Sequence, residues 1–116
     1  MDSPPSLPYS AKVFTFIETR LFTRLVGEYL TDDEYLKLQA ALAKDPEAGA
    51  VIPESGGIRK LRWGLPGRGK RGGLRVIYYL RDRNGIIWML TLYPKNVAEN
   101  IPAHVLRQIR EEMEDG

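Results

Sequence analysis

The sequence predicts a compact α+β fold in which an N-terminal helical hairpin and a C-terminal helix pack against a mostly antiparallel four-stranded sheet. Two helically spaced apolar stripes, the second opened by a capping box, predict the hairpin near residues 20–44. Three runs rich in β-branched and aromatic residues follow, and an Asn-Gly turn separates the last two. The predicted order is β-α-α-β-β-β-α.

The bulk composition limits the class of protein. A chain of 116 residues is long enough for one domain with its own core. We predict a flexible, proline-rich arm in residues 1–12 and a single domain over residues 13–116. There are no cysteines, which excludes disulfides and Cys-type metal sites. Because no signal peptide or membrane-length apolar run occurs, we expect a soluble cytoplasmic protein.

The first half of the chain contains the helical hairpin. Residues 13–18 predict the first strand, and Thr19 can cap the helix that follows. Thr31 and Glu34 form the capping box of the second helix. Residues 46–57 begin with a proline that stops this helix, and their prolines and glycines predict a connector without secondary structure.

The second half of the chain contains most of the sheet. The predicted strands are residues 58–63, 74–81 and 86–93, and the predicted final helix is residues 102–113. A glycine-rich basic loop, residues 64–73, joins the first two of these strands. Asn84-Gly85 tolerates the positive φ of a type I′ turn, so the last two strands should form a hairpin.

Positive charge is concentrated in one part of the chain. Residues 57–83 contain nine Lys/Arg and one acid, a net charge of +8, although the whole chain is only +2. The rest is net acidic, including residues 27–54 and 99–115. Such a block creates a local positive field that favours a polyanionic partner.

The glycine-rich loop matches two nucleotide-binding motifs in spacing but not in context. Residues 64–70 have the spacing of a phosphate loop, but Arg71 stands where a Ser or Thr should bind magnesium. Residues 67–72 match a dinucleotide fingerprint, yet a strand follows where a helix is required. We therefore expect no cofactor. Arg68 and Lys70, with Arg71, remain candidates for binding phosphates, and the alternative is a solvated loop.

Cations in strand interiors need a separate explanation, because these positions normally hold β-branched and aromatic residues. Lys60, Arg62 and Arg75 could share one face of the sheet, and Arg59 is a fourth strand cation. Whether the three share a face depends on the register between their strands, since a slip of one residue reverses the face.

This set of residues suits cleavage of a phosphodiester without a metal. In RNA, the 2′-hydroxyl attacks the adjacent phosphorus, the extra negative charge is stabilised, and the departing 5′-oxygen is protonated. Arginines are fixed donors for the phosphate, and a lysine crowded by other cations is a possible proton carrier. Tyr93, at a strand end beside Lys95, is the aromatic residue best suited to function, since aromatic faces can stack unpaired bases.

The sequence from about residue 14 to residue 113 resembles the HigB-type branch of the RelE/ParE toxin superfamily. The most specific parts are GGIRKLRW at residues 56–63 and GKRGG at residues 69–73, which leads into RVIYY at residues 75–79. MLTLYPKN, at residues 89–96, adds to the likeness.

The resemblance implies a RelE-like fold and the toxin of a bacterial type II toxin–antitoxin pair. Such toxins are metal-independent, ribosome-dependent endoribonucleases that cleave mRNA in the A site and so inhibit translation. Their partner is an antitoxin, often with a helix-turn-helix DNA-binding domain. By position, Arg75 matches the arginine that contacts the scissile phosphate. Lys60 and Arg62 lie in the strand that supplies catalytic lysines, and Lys95 matches a basic residue after the last strand.

The sequence also departs from the RelE pattern. Asn96 stands where a further arginine is expected, and the C-terminal catalytic tyrosine has no clear equivalent. Tyr93, Lys70 or another lysine could take over its role in proton transfer. The predicted catalytic residues are therefore Lys60, Arg62, Arg75, Tyr93 and Lys95, and the predicted RNA-binding residues are Arg59, Arg68, Lys70 and Arg71. Two alternatives stay open: a ParE-like inhibitor of DNA gyrase without nuclease activity, and a catalytically degenerate RNA-binding regulator.

Overall fold

A computed structural model describes residues 13–64, 73–81, 85–97 and 101–115. The predicted arm, most of the glycine-rich loop and the first three residues of the predicted hairpin turn lie outside the described residues. The elements are β1 (Thr15–Glu18), α1 (Arg20–Tyr29), α2 (Asp32–Lys44), β2 (Ala50–Val51), β3 (Ile58–Trp63), β4 (Leu74–Arg81), β5 (Ile86–Pro94) and α3 (Ala103–Asp115).

The strands form one sheet in the order β1-β5-β4-β3-β2. All neighbouring pairs are antiparallel except β1 and β5, which run parallel. The predicted α+β class is confirmed, with five strands where the sequence predicted four. The additional strand, β2, lies in the predicted connector. It has only two residues, both exposed, so it carries no alternating pattern from which it could be predicted.

The helical hairpin covers one face of the sheet, which we call the hairpin face. Thr19 caps α1 by accepting a hydrogen bond from the Phe22 amide, and Thr31 and Glu34 form the predicted capping box of α2. The apolar stripes of both helices pack on the sheet. The buried members of this core are Phe22, Leu30, Leu38, Leu42, Leu74, Val76, Tyr78, Ile87, Met89 and Leu92.

The C-terminal helix covers part of the opposite face, which we call the α3 face. Ile109 is buried there, and Val105, Leu106 and Met113 pack around it. The buried sheet residues of this second core are Ile58, Ile77, Trp88, Leu90 and Tyr93. Among the described residues, no helix has both the length and the apolar character needed to cross a bilayer.

A bulge in β5 changes which side chains reach the α3 face. Tyr78 pairs with Met89 and Ile77 pairs with Thr91, so Leu90 is an extra residue in β5. Strict alternation from Met89 would direct Tyr93 to the hairpin face. Because of the extra residue, Tyr93 instead lies opposite Arg75 and shares its face.

The connector between α2 and β3 is fixed by side chains from the sheet. The Tyr78 hydroxyl donates to the Pro46 carbonyl (2.7 Å) and accepts from the Gly49 amide (2.9 Å). The Arg59 guanidinium donates to the carbonyls of Gly49 (2.7 Å) and Glu47 (3.3 Å). These contacts satisfy connector groups that β2 is too short to pair.

Candidate nucleic-acid interface

Two arginines and a tyrosine form a row across three neighbouring strands on the α3 face. Arg62 in β3 lies directly opposite Arg75 in β4, and Arg75 lies directly opposite Tyr93 in β5. Side chains of opposed residues share a face, with Cβ atoms about 4.5–5.5 Å apart. We call these three residues the Arg–Arg–Tyr row.

The two arginines of this row have no ion-pair partner among the residues that the structure describes. Like charges directly opposite each other destabilise a sheet, and Arg75 is buried in its centre with only 9% of its surface exposed. Among the described residues, the single ion pair within 4.0 Å joins Arg59 to Glu47, and neither row arginine takes part in one. Because no carboxylate of the described ranges pairs with Arg62 or Arg75, both guanidiniums can bind an external anion.

The hydroxyl of Tyr93 is also without a partner. It is buried and makes no hydrogen bond, the one such side-chain atom among the described residues. A buried phenol without a partner is costly, so it is a candidate for a ligand contact. Burial raises the pKa of Tyr93, and the nearby Arg75 guanidinium opposes that rise in part. At neutral pH the group is therefore a neutral phenol that can donate a proton or a hydrogen bond.

The two candidate lysines lie at the edges of the row. Lys60 is two residues before Arg62 in β3, so it shares the α3 face, and it is half-buried. The observed register thus places Lys60, Arg62 and Arg75 on one face, a point that the sequence left open. Lys95 is exposed in the turn after β5, where the Val97 amide donates to the Pro94 carbonyl (3.0 Å).

The remaining candidates lie apart from the row. Arg59 is on the hairpin face, opposite Tyr78, and its guanidinium holds the connector. The structure therefore gives it a structural contact and does not bring it to the other strand cations. Arg68, Lys70 and Arg71 lie outside the described residues.

A second group of cations on the α3 face was not singled out from the sequence. Arg81, at the end of β4, and Arg110, in α3, line one cavity. They are far apart in the sequence. The apolar spacing of α3 predicts that Ile109 faces the sheet, but it does not predict that the neighbouring Arg110 reaches the end of β4. The neighbouring Gly56-Gly57 pair was the available signal of close packing in this region.

The chemistry of the row is that of an anion site with proton donors. It can hold a phosphate between guanidinium groups, with a neutral phenol and two amines nearby. Within the described ranges, no group of three or more His, Asp or Glu side chains could hold a metal ion.

The comparisons with known proteins identify the fold. No model of a known protein family matches the chain. Among solved structures, the chain is similar to a mutant of the E. coli toxin RelE, in the free state, in which two arginines are replaced by alanine. The match is 16% identical with a TM-score of 0.50, and it covers 87% of this chain and 94% of that chain. The chain therefore has the fold of the RelE toxin, as predicted.

Proposed function

We propose that this protein is the toxin of a bacterial type II toxin–antitoxin system. In this proposal it is a ribosome-dependent endoribonuclease that cleaves mRNA in the A site without a metal and so stops translation. The RelE fold and the sequence resemblance to the HigB-type branch support the class of protein. The Arg–Arg–Tyr row supports the chemistry.

The observation that carries the proposal is the direct opposition of Arg62 and Arg75. Two arginines at directly opposed positions of neighbouring strands, without an ion pair to a described carboxylate, weaken the fold. A phosphate between them would neutralise this repulsion and accept several charge-assisted hydrogen bonds. Extra charge that develops on the phosphate in the transition state would be stabilised by donors already in position.

The roles follow from position and chemistry. Arg75, in the centre of the row, contacts the scissile phosphate, and Arg62 supplies the second guanidinium. Lys60, on the same face, and Lys95, at the strand end, are the candidates to move protons between the 2′-hydroxyl and the departing 5′-oxygen.

Tyr93 is assigned as a proton or hydrogen-bond donor. Its raised pKa argues against a phenolate, and so against a role as a general base at neutral pH. Because its hydroxyl is buried in the free protein, contact with RNA requires the side chains that cover it to move.

The proposed partner is an antitoxin, with a helix-turn-helix domain that would bind the promoter. The test is co-expression with the adjacent reading frame. A cognate antitoxin should restore growth and co-purify with the protein. An adjacent frame that does neither would count against this partner.

Primer extension on a reporter mRNA in a translating extract tests the nuclease. The proteins compared are the wild type, Arg75→Ala, and Arg24→Ala as a control, which removes an exposed arginine from α1. The proposal predicts ribosome-dependent cuts in phase with codons, lost in Arg75→Ala and kept in Arg24→Ala. Circular dichroism before the assay confirms that each variant is folded.

One outcome would contradict the proposal directly. If the wild type stopped growth while reporter mRNA stayed intact, the nuclease would be excluded. Inhibition of DNA supercoiling by gyrase would then identify the ParE-like alternative, and ribosome binding without either effect would identify a degenerate RNA-binding protein.

A further inference from the structure

The α3 face contains a second cationic site, separate from the Arg–Arg–Tyr row. A cavity of about 140 Å³ lies between α3 and the ends of β3 and β4. Its lining includes Ile58, Tyr79, Trp88 and Met113, with the two guanidinium-bearing residues Arg81 and Arg110. We call it the α3 pocket. It is smaller than a typical drug-sized pocket, but at about 30 Å³ per water molecule its volume corresponds to about five water molecules, enough for a phosphate group.

The charged residues that line the α3 pocket in the described part of the chain are both positive. No carboxylate of the described residues lines it, and both arginines are exposed. Neither guanidinium has an ion-pair partner within 4.0 Å in the part of the chain that the structure describes. The guanidiniums of Arg81 and Arg110 can therefore both donate hydrogen bonds to an acidic ligand that enters the pocket.

The loop before β3 holds one of these arginines in place. Gly56 has a φ of +79°, and a Cβ atom there would lie 2.6 Å from Nη1 of Arg110. The guanidinium thus packs directly on the glycine backbone. Ser55 fixes the loop, because its hydroxyl donates to the Ile52 carbonyl (2.7 Å) and accepts from the Ile58 amide (2.9 Å). The pocket is in this sense preorganised for a ligand.

The α3 pocket and the Arg–Arg–Tyr row share one face of the sheet. Ile58 lies in β3 four residues before Arg62, and Arg81 lies in β4 six residues after Arg75. At about 3.3 Å per residue, the two sites are about 13–20 Å apart along the strands. That distance corresponds to roughly four to six stacked nucleotides of one strand.

We propose that the α3 pocket binds a phosphate group of the same single-stranded RNA, several nucleotides from the bond held by the Arg–Arg–Tyr row. The inference rests on the proposed function, because that function supplies the RNA. The rings of Tyr79 and Trp88 add apolar surface against which the sugar or base of that nucleotide can pack. An acidic peptide could also neutralise the two arginines. Only an RNA strand bound in the Arg–Arg–Tyr row would reach the α3 pocket along the same face of the sheet.

Tryptophan fluorescence can test the proposal in isolation. The chain has two tryptophans, and Trp63→Phe leaves Trp88, in the pocket lining, as the single emitter. The probe is a 2′-O-methyl oligoribonucleotide of about eight nucleotides, which cannot be cleaved through its 2′-oxygen. Arg110→Gln is made in this background. The matched control is Arg107→Gln, an exposed arginine of the same helix that does not line the pocket.

We expect saturable changes in Trp88 emission. Arg110→Gln should weaken binding about tenfold and reduce the slope of log affinity against log salt by about 0.7, as for one lost phosphate contact. Arg107→Gln should change affinity less than about twofold. If Arg110→Gln does not fold, Arg81→Gln takes its place and should give the same loss.

Two results would overturn the proposal: equal affinities in Arg110→Gln and Arg107→Gln, or a polyglutamate peptide that binds through Arg110 as tightly as the oligonucleotide. Cleavage of ribosome-bound mRNA, measured on the same proteins, separates this inference from the proposed function. Cleavage without binding through Arg110 overturns the pocket alone. Binding through Arg110 with intact mRNA supports the pocket and overturns the nuclease.

Discussion

The buried hydroxyl of Tyr93 gives the sharpest prediction at the scale of a single residue. Because it has no hydrogen-bond partner, Tyr93→Phe removes a desolvated polar group and loses no described contact. The free energy of unfolding should stay the same or rise by about 1 kcal/mol. Cleavage of ribosome-bound mRNA should nevertheless fall about 10- to 100-fold if the hydroxyl donates to the substrate.

Urea denaturation and single-turnover cleavage of the same Tyr93→Phe preparation provide the measurement. Arg75→Gln is the companion variant, since it removes a charged donor from the same row. A Tyr93→Phe protein that cleaves at the wild-type rate would remove the tyrosine from the site and leave the arginines in it.

A second residue-scale prediction concerns Gly49, where the chain passes close to the sheet. A Cβ atom there would lie 2.9 Å from Cε1 of Tyr78 and 3.0 Å from the carbonyl of Lys60. Because backbone is one of the obstacles, Gly49→Ala should destabilise the protein by about 1–3 kcal/mol.

Gly27→Ala is the matched control for Gly49→Ala. Nothing lies within 4 Å of a Cβ atom at Gly27 in α1, so alanine there should stabilise the helix by about 0.5–1 kcal/mol. Thermal unfolding should shift in opposite directions for the two variants. A shift of the same sign and size would contradict the close approach at Gly49.

At the scale of elements, the Thr19 side chain links the N-terminus of α1 to the bulge in β5 through two hydrogen bonds. Its hydroxyl accepts from the Phe22 amide (3.0 Å) and donates to the carbonyl of Leu90 (2.7 Å), the extra residue of β5. Thr19→Ala should therefore cost about 2 kcal/mol, since it removes both a helix cap and a buried hydrogen bond to the Leu90 carbonyl. Thr31→Ala, at an exposed cap, should cost about 1 kcal/mol.

Thr19→Ala and Thr31→Ala also test whether the bulge in β5 affects cleavage. If the bulge aligns Tyr93 with Arg75, Thr19→Ala should lower the cleavage rate of the folded fraction, whereas Thr31→Ala should not. Chemical denaturation gives the folded fraction for each variant. Equal cleavage rates per folded molecule would show that the Thr19–Leu90 contact has no influence on the row.

The sequence predicts the helices and the longer strands because each has its own periodic pattern or cap. It does not predict the bulge, since an extra residue in β5 is set by pairing with β1 and β4 and not by local preference. For that reason the common face of Arg75 and Tyr93 could not be known from the sequence. The strand cations Lys60 and Arg62 were identified correctly as neighbours on one face.

At the scale of the whole molecule, the positive block is less uniform than its sequence suggests. Arg59 is on the hairpin face and holds the connector, while the Arg–Arg–Tyr row and the α3 pocket are on the other face. Counting charges along the chain could not separate these, because neighbouring residues of a strand point to opposite faces. The distribution predicts that binding to RNA weakens steeply as salt rises.

Alkaline pH tests the packing of the whole fold. Burial raises the pKa of Tyr35, Tyr78 and Tyr93 above the ordinary value of 10.0, and the Glu18 carboxylate adds to the rise at Tyr35. Above this pH the unfolded chain releases phenolic protons that the folded protein keeps. Stability should therefore be constant through neutral pH and fall above about pH 10.

Urea unfolding at about pH 8 and about pH 11 measures this loss. Tyr35→Phe should reduce the loss, because it removes one of the protons that unfolding releases. Stability that rises between the two pH values would contradict the buried, protonated state of these tyrosines.

The proposed function requires that the α3 face, and not the hairpin face, performs the chemistry. The most direct test is the single-turnover cleavage rate of ribosome-bound mRNA by Arg62→Gln and Arg59→Gln, two variants of one strand with the same change in charge. Per folded molecule, we expect Arg62→Gln to lose about 100-fold and Arg59→Gln less than about threefold. Equal losses, or a larger loss in Arg59→Gln, would contradict the placement of the chemistry on the α3 face.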